Sequence, residues 1–400
     1  MDAFNPFTPE AIADPYANYA VLRERGRVVW SDKLTTWLVT HHADCLDFFR
    51  DERLSADRTK ATKFRGDAPS NRARNLATDP PEHTIVRQLL TLTMSPAVAD
   101  AAARLPEYID LLIGEAVESV AGRLLDQADT AGTFDLVTDF AYPLPITVIA
   151  WMFNIPEQDH SRFDVWAHDL ARVQDRFYRG RDESMKVRLD EYQSYIDGLV
   201  SERRQNPGDD LVSMLLNADH DGEKLTEAEV SVMCNTLIFA GHETTVNLIC
   251  NGINALLCNP DQLTRLRDNP ELMGSATEEF LRFDSPAQMI SRTAVEDFDW
   301  HGAEIKTGDS VVALLGSANR DPGTFVDADG LDIGRAPNPH LAFGAGIHFC
   351  PGAQLTRQES RAAIPVLLDR FPNLNFTDSP PVRRDTAVLR GFGTFPVVAG

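Results

Sequence analysis

The chain has 400 residues but only five cysteines, at 45, 234, 250, 258 and 350, and no C-x-x-C pair. That odd, scattered set argues against a disulfide framework, a four-cysteine zinc site and an iron–sulfur cluster. Positive charge is also scarce: 38 Lys and Arg stand against 60 Asp and Glu, a net charge of −22. Such a balance disfavours nucleic acid and anionic membrane as partners. The N-terminal stretch M-D-A-F-N-P-F-T-P-E is polar and broken by proline, so no signal peptide or membrane anchor is expected. A cytoplasmic protein is the natural reading. Internal repeats, low-complexity runs and flexible linkers are missing too. A single domain over 1–400 is therefore expected, although the length would ordinarily suggest two or three.

What is present reads as a globular protein, with 43% hydrophobic and 24% charged residues. Helical spacing occupies 16–24 and stops at Gly26, and 28–30 with 36–40 read as a β-hairpin. A short helix follows at 41–49, then a polar, basic, aperiodic stretch at 55–77 that reads as a mobile loop. Asp79-Pro80-Pro81-Glu82-His83 is a helix start. Helical segments follow at 97–125, at 138–153 with an interruption near Pro143 and Pro145, and as a helix–loop–helix over 157–203. Thr226-Glu-Ala-Glu229 fits a capping box, and no proline intervenes before Pro260. That allows about 33 residues of helix, roughly 50 Å long. Short strands and turns between 298 and 315 complete a mainly α chain with a small β region.

The most informative stretch is F-G-A-G-I-H-F-C-P-G at 343–352. Gly344 and Gly346 let the backbone turn tightly or lie against a flat partner. Pro351 is expected just inside a helix at 353–368, which places the Cys350 sulfur near a helix N-terminus that favours thiolate. Pro351 also lacks an N–H, so the sulfur receives one fewer backbone hydrogen bond and keeps more electron density.

This decapeptide resembles the haem-ligand loop of the cytochrome P-450 family, the haem-thiolate monooxygenases. The resemblance extends from about Asp14 to Phe395, with each expected motif in order. It implies the cytochrome P-450 fold, with a long central helix over a haem b held by the thiolate of Cys350. The haem is not covalently attached, since no C-x-x-C-H occurs. Phe239-Ala240-Gly241-His242-Glu243-Thr244-Thr245 resembles the middle of that helix, where small residues leave room for dioxygen. Glu243 and Thr244 match the acid–alcohol pair that delivers protons. His83 and Arg87 share one helix face; with Arg292 and His348 they match the haem propionate contacts. Phe343, Gly344, Ala240 and Gly352 complete the cofactor contacts. Glu279 and Arg282, with Arg335, match a structural ion triad.

By the family's layout the substrate pocket draws on Phe64, Ile238, Phe239, Met289, Ile290 and Phe392. These suit a hydrophobic molecule such as a terpenoid, steroid, fatty acid or polyketide, to be hydroxylated or epoxidised with O2. No reductase motif is present, so electrons are expected from a ferredoxin served by an NAD(P)H reductase. Arg72, Arg74, Arg357 and Arg361 are candidates for its basic docking patch. The competing readings are a peroxide-driven oxygenase, which has no use for the Glu–Thr pair, and a haem-binding sensor without turnover.

Overall fold

A computed structural model describes residues 4–61, 73–125, 132–160, 162, 163, 166 and 183–399. Helices α1 (Pro9–Ala13) and α2 (Tyr16–Arg25) lead into strands β1 (Val28–Ser31) and β2 (Thr36–Val39), then α3 (His42–Phe48) and β3 (Leu54–Ser55). Helix α4 (Glu82–Leu125) and strand β4 (Thr133–Asp135) follow. A π-helical turn (Val137–Ala141) then runs into α5 (Pro143–Phe153), ahead of α6 (Glu183–Gln205) and α7 (Leu211–Asn217). Next come α8 (Glu227–Cys258), α9 (Pro260–Asp268) and α10 (Met273–Phe283). Strands β5 (Met289–Ala294), β6 (Phe298–Trp300), β7 (Ala303–Ile305) and β8 (Ser310–Leu314) precede α11 (Leu315–Ala318) and α12 (Ala353–Arg370). The chain closes with β9 (Asn375–Phe376), β10 (Val382–Arg383), β11 (Phe392–Thr394) and β12 (Pro396–Val398).

The main sheet has the order β1-β2-β8-β5-β3, and β2 and β8 pair in parallel with Leu38 opposite Val312. A second sheet sets β12 between β4 and β9. The helix start at 82 and the segment at 97–125 prove to be one helix, α4, which carries Pro96 and Pro106 inside it.

Helix α8 has the capping box the sequence suggested: Thr226 Oγ1 accepts from Glu229 N, and the Glu229 carboxylate accepts from Thr226 N. It runs 32 residues without a break. Its poor helix formers are accommodated locally. Thr244 Oγ1 donates to Ala240 O at 2.7 Å and Thr245 Oγ1 to Gly241 O at 3.3 Å, one turn back. Glycine serves close packing at two points. A Cβ on Gly241 would lie 3.2 Å from Ile149 of α5, and one on Gly252 would lie 2.9 Å from the Phe280 ring of α10.

The main core lies where α4, α5, α8, α10 and α12 meet, with Leu89, Phe140, Leu248, Phe280 and Ile364 fully buried. Each such side chain contributes about 1.5–3 kcal/mol. This packing carries α12 and the loop before it against the middle of α8. The site is built in that gap.

Candidate active site

The loop before α12 is held by its own backbone. Cys350 N donates to Phe343 O at 3.0 Å, closing the turn, and Gly344 and Gly346 have φ of +68° and +70°. A Cβ on Gly346 would stand 2.8 Å from Phe49 O, so only glycine fits both the angle and the space. The helix begins at Ala353, as the sequence suggested, with Gly352 as N-cap, which leaves Pro351 just outside it and not just inside. The backbone N–H groups of Gly352 and Ala353 still favour the Cys350 thiolate, as do the charges of Arg87 and Arg357. Burial is the larger influence, however, and pushes the thiol up.

Facing the loop is one side of α8. Between them lies a cavity of about 380 Å³ walled by Ala240, Gly241 and Thr244 from α8 and by Phe343, Gly344, Cys350 and Gly352 from the loop. Met94, Met152, Phe239, Met289 and Leu389 make the rest largely apolar.

Four nitrogen-bearing side chains gather at its rim without anionic partners among the described residues. The His83 and His348 rings stand 4.1 Å apart, and the buried Nε2 atom of each lacks a hydrogen-bond partner. His348 Nδ1 is engaged with Leu76 O. Arg292 is 7% exposed and, among the described residues, donates only to Leu54 O, at a long 3.4 Å. Among the described residues no carboxylate pairs with Arg87 or Arg292. Burial, then the neighbouring cations Arg87 and Arg292, pulls His83 down. Burial, then Arg292 and His83, takes His348 down to about 4. Arg292 is lowered by burial to about 10, with only Asp79 opposing. Buried donors left unmet are costly, and crowded cations repel. A planar group carrying carboxylates would resolve both. Haem fits the set: Cys350 would bind its iron, and His83, Arg87, Arg292 and His348 would bind its carboxylates.

The ion triad braces the far side of the loop. Arg282 donates twice to Glu279, at 2.8 Å each, with both side chains fully buried. Arg335 Nε joins Glu279 at 3.0 Å, and Asn338 Nδ2 and Asp332 N complete the carboxylate. Arg282 also donates to the carbonyls of Asn319, Ala328 and Gly330. A buried pair this well bonded fixes geometry more than it adds stability.

Other sequence-based expectations need correction. Glu243 does not share the cavity with Thr244: it is 1% exposed and paired with Arg384, and its Oε2 lacks a partner. Neighbouring helix positions point about 100° apart, so an acid adjacent to a cavity-facing Thr turns aside. By the same rotation Ile238 is buried in the main core, and Leu237 and Phe239 line the cavity. Phe392 packs on Phe395 at 4.8 Å and under Arg383, and Val388 and Leu389 take its place on the wall. Met289 and Ile290 do line the cavity. Phe64 and Arg72 lie outside the described residues.

The expected basic patch does not form as read. Arg74 is bound to Glu229 and Glu223 at the start of α8, while Arg357 and Arg361 both bond Glu278. Sequence reasoning also passed over Glu359 and Thr356, which line the cavity from α12. The signal was there: Leu355, Glu359 and Ala363 fall at i, i+4 spacing on a buried helix face, with an acid in an apolar row.

A cysteine loop opposite a long helix, with a cationic rim and a buried Glu–Arg brace, defines a haem-thiolate oxidoreductase. The comparisons agree. The cytochrome P450 family model matches residues 28–391, and the chain belongs to that family. It is 37% identical to the polyketide biosynthesis cytochrome P450 PksS of Bacillus subtilis over 90% of this chain and 88% of that one. It is also 37% identical to the cytochrome P450 monooxygenase PikC of Streptomyces venezuelae, over 96% and 91%. Among solved structures, P450BioI in complex with acyl carrier protein ligated to hexadec-9Z-enoic acid superposes with a TM-score of 0.80 and 34% identity. That match covers 97% of this chain and 98% of the other. Among the described residues no helix is long and apolar enough to cross a membrane.

Proposed function

We propose that the protein is a monooxygenase that places one atom of O2 into a hydrophobic small molecule. The observation that carries this reading is the pairing of Cys350 with Thr244 across a largely apolar cavity. In the overall balance R–H, O2, two electrons and two protons give R–OH and water. Haem, when bound, supplies the oxygen chemistry.

The chain's own residues do the rest. Cys350 would provide the thiolate ligand to the haem iron, and His83, Arg87, Arg292 and His348 would hold the haem carboxylates by charge-assisted bonds. Phe343, Gly344, Ala240 and Gly352 shape the faces of the slot. Thr244 Oγ1, parked on Ala240 O, can turn its proton toward the cavity. Glu243 serves from behind the helix, through Arg384. The apolar wall orients the substrate and excludes bulk water.

PksS, with polyketide biosynthesis in its name, and the fatty-acyl carrier-protein complex of P450BioI favour a polyketide or fatty acyl substrate. Electrons come from a ferredoxin with an NAD(P)H reductase. Haem-loaded protein given both proteins, NADH and isotopically heavy O2 should yield product carrying one heavy oxygen atom. Product formed only with added peroxide would favour a peroxide-driven oxygenase. No product from a substrate panel under either regime would favour a sensor.

A further inference from the structure

Two short segments far apart in the chain share one stretch of the cavity wall: Pro286, Ala287, Met289 and Ile290 after α10, and Val388 and Leu389 before β11. Little backbone joins them. Ala287 and Leu389 form an isolated antiparallel bridge, with Gln288 N donating to Val388 O at 2.9 Å and Arg390 N to Pro286 O at 2.7 Å. Side chains that face a cavity have no packed neighbour on that side, so their position must be set from behind.

Beside the bridge lies Asp284, 5% exposed at the end of α10. Its Oδ1 accepts from Tyr16 Oη and Arg390 Nε, each at 2.6 Å, and its Oδ2 from Arg383 Nη2 at 2.8 Å. Burial raises this carboxyl, but Arg390 and then Arg383 outweigh it and hold it well below the usual carboxylate range. Arg390, 7% exposed, also donates to Ile12 O at 2.6 Å and Ala13 O at 2.9 Å, the last carbonyls of α1. Asn251, fully buried on α8, donates to Asp284 O at 3.0 Å and Arg390 O at 2.9 Å, and accepts from Arg383. The cluster therefore ties α1, α8, α10 and the 383–390 segment together at the residues that flank the bridge.

We infer that Asp284 and Arg390 are positioning residues for substrate selection: their clasp sets the spacing of the 286–290 and 388–389 segments, and so the width of the cavity that a ligand's apolar body must fit. This deepens the monooxygenase reading and rests on it for the nature of the ligand. The links are charge-assisted and branch from one guanidinium, so they fix the wall in angle as well as in distance. Lysine at 390 would keep the charge, but a single ammonium cannot span Asp284 Oδ1 and both α1 carbonyls in that fork geometry. Asp284 and Arg390 are themselves absent from the cavity wall. A change in ligand fit on altering them therefore reports the wall and not a lost contact.

Imidazole and 4-phenylimidazole, titrated by absorbance into the haem-loaded protein, separate the wall from the iron. Both reach the iron through nitrogen, but only the second extends a ring into the apolar cavity. Arg390→Lys should weaken 4-phenylimidazole binding about 10-fold and leave imidazole nearly unchanged. Tyr16→Phe removes one donor to Asp284 yet keeps the ring that lies 4.0 Å from the Arg320 guanidinium, so it should move the ratio the same way by less. Asp210→Asn, which loosens the ion pair with Arg203 at the start of α7, controls for general softening and should not move the ratio. An unchanged ratio in Arg390→Lys, an equal loss of both ligands, or the same shift in Asp210→Asn would each overturn the proposal. Where Arg390→Lys fails to fold, an unchanged ratio in Tyr16→Phe has the same force. A wild type that takes up haem but binds neither ligand would overturn the clasp and the monooxygenase reading together. If the ratios shift as expected and the wild type inserts no oxygen into any substrate, the monooxygenase reading fails and the clasp stands.

Discussion

Burial acts on the ionisable residues of the cavity in opposite directions: it lowers His348 and Arg292 and raises Glu359. For Glu359 the folded value, about 8, lies above its ordinary 4.5. The folded protein therefore holds this proton where the unfolded chain has lost it. Its contribution is complete below about pH 4.5 and disappears as pH rises through about 8, at roughly 1.4 kcal/mol per unit. Thermal or urea melts should show wild type losing a few kcal/mol relative to Glu359→Gln across that window; parallel curves would refute the neutral acid. Pro351 sets a second residue-level expectation. It withholds one N–H from the Cys350 sulfur, leaving the N–H groups of Gly352 and Ala353 to approach it. Pro351→Leu in the haem-loaded protein should raise the iron's reduction potential, and spectroelectrochemistry giving an equal or lower value would contradict this.

Helix α8 is where reading the sequence went furthest and also where it failed. The Thr226–Glu229 box and the absence of proline before Pro260 mark its span closely, because caps and breakers act through the local backbone. The direction each residue faces was less legible. Glu243 and Ile238 belong to segments with the right composition, but helix phase turns them from the cavity, and only tertiary packing sets that phase. Phe392 was misplaced for a similar reason, since the pairing of β10 with β11 decides what its side chain covers. In contrast, the Cys350 loop was legible residue by residue, because the positive φ of Gly344 and Gly346 demands glycine at fixed offsets. The contact of α8 with α5 yields a graded test at Gly241, whose added Cβ would sit 3.2 Å from Ile149. Gly241→Ala should be close to neutral, as helix propensity of about 1 kcal/mol offsets the crowding. Gly241→Val should lose about 1–3 kcal/mol in urea melts. Equal stability of the two variants would show that α5 yields freely.

Across the whole molecule, charge is organised into buried and half-buried clusters more than into free patches. Glu279 ties α10 to the segment before the Cys350 loop through Arg282 and Arg335. Glu279→Ala would strand two arginines and should cost about 3–5 kcal/mol, with haem retention falling in step. A variant that keeps full haem affinity and stability would argue against a brace. Glu278 next to it neutralises Arg357 and Arg361, and is held down to about 2 by His340 and Arg357 against burial. A docking protein would therefore meet fewer free cations near the cysteine than a count of arginines suggests. Both larger sheets join distant parts of the chain: β2 pairs with β8, and β12 closes on β4. Contacts of such long range form late. On a ribosome, the strand at 396–398 becomes available only after all the cavity's own residues have emerged. Loosening β12 would free β4, which leads through the π-helical turn into α5, a wall of the cavity, so substitutions that unpair β12 should weaken haem retention.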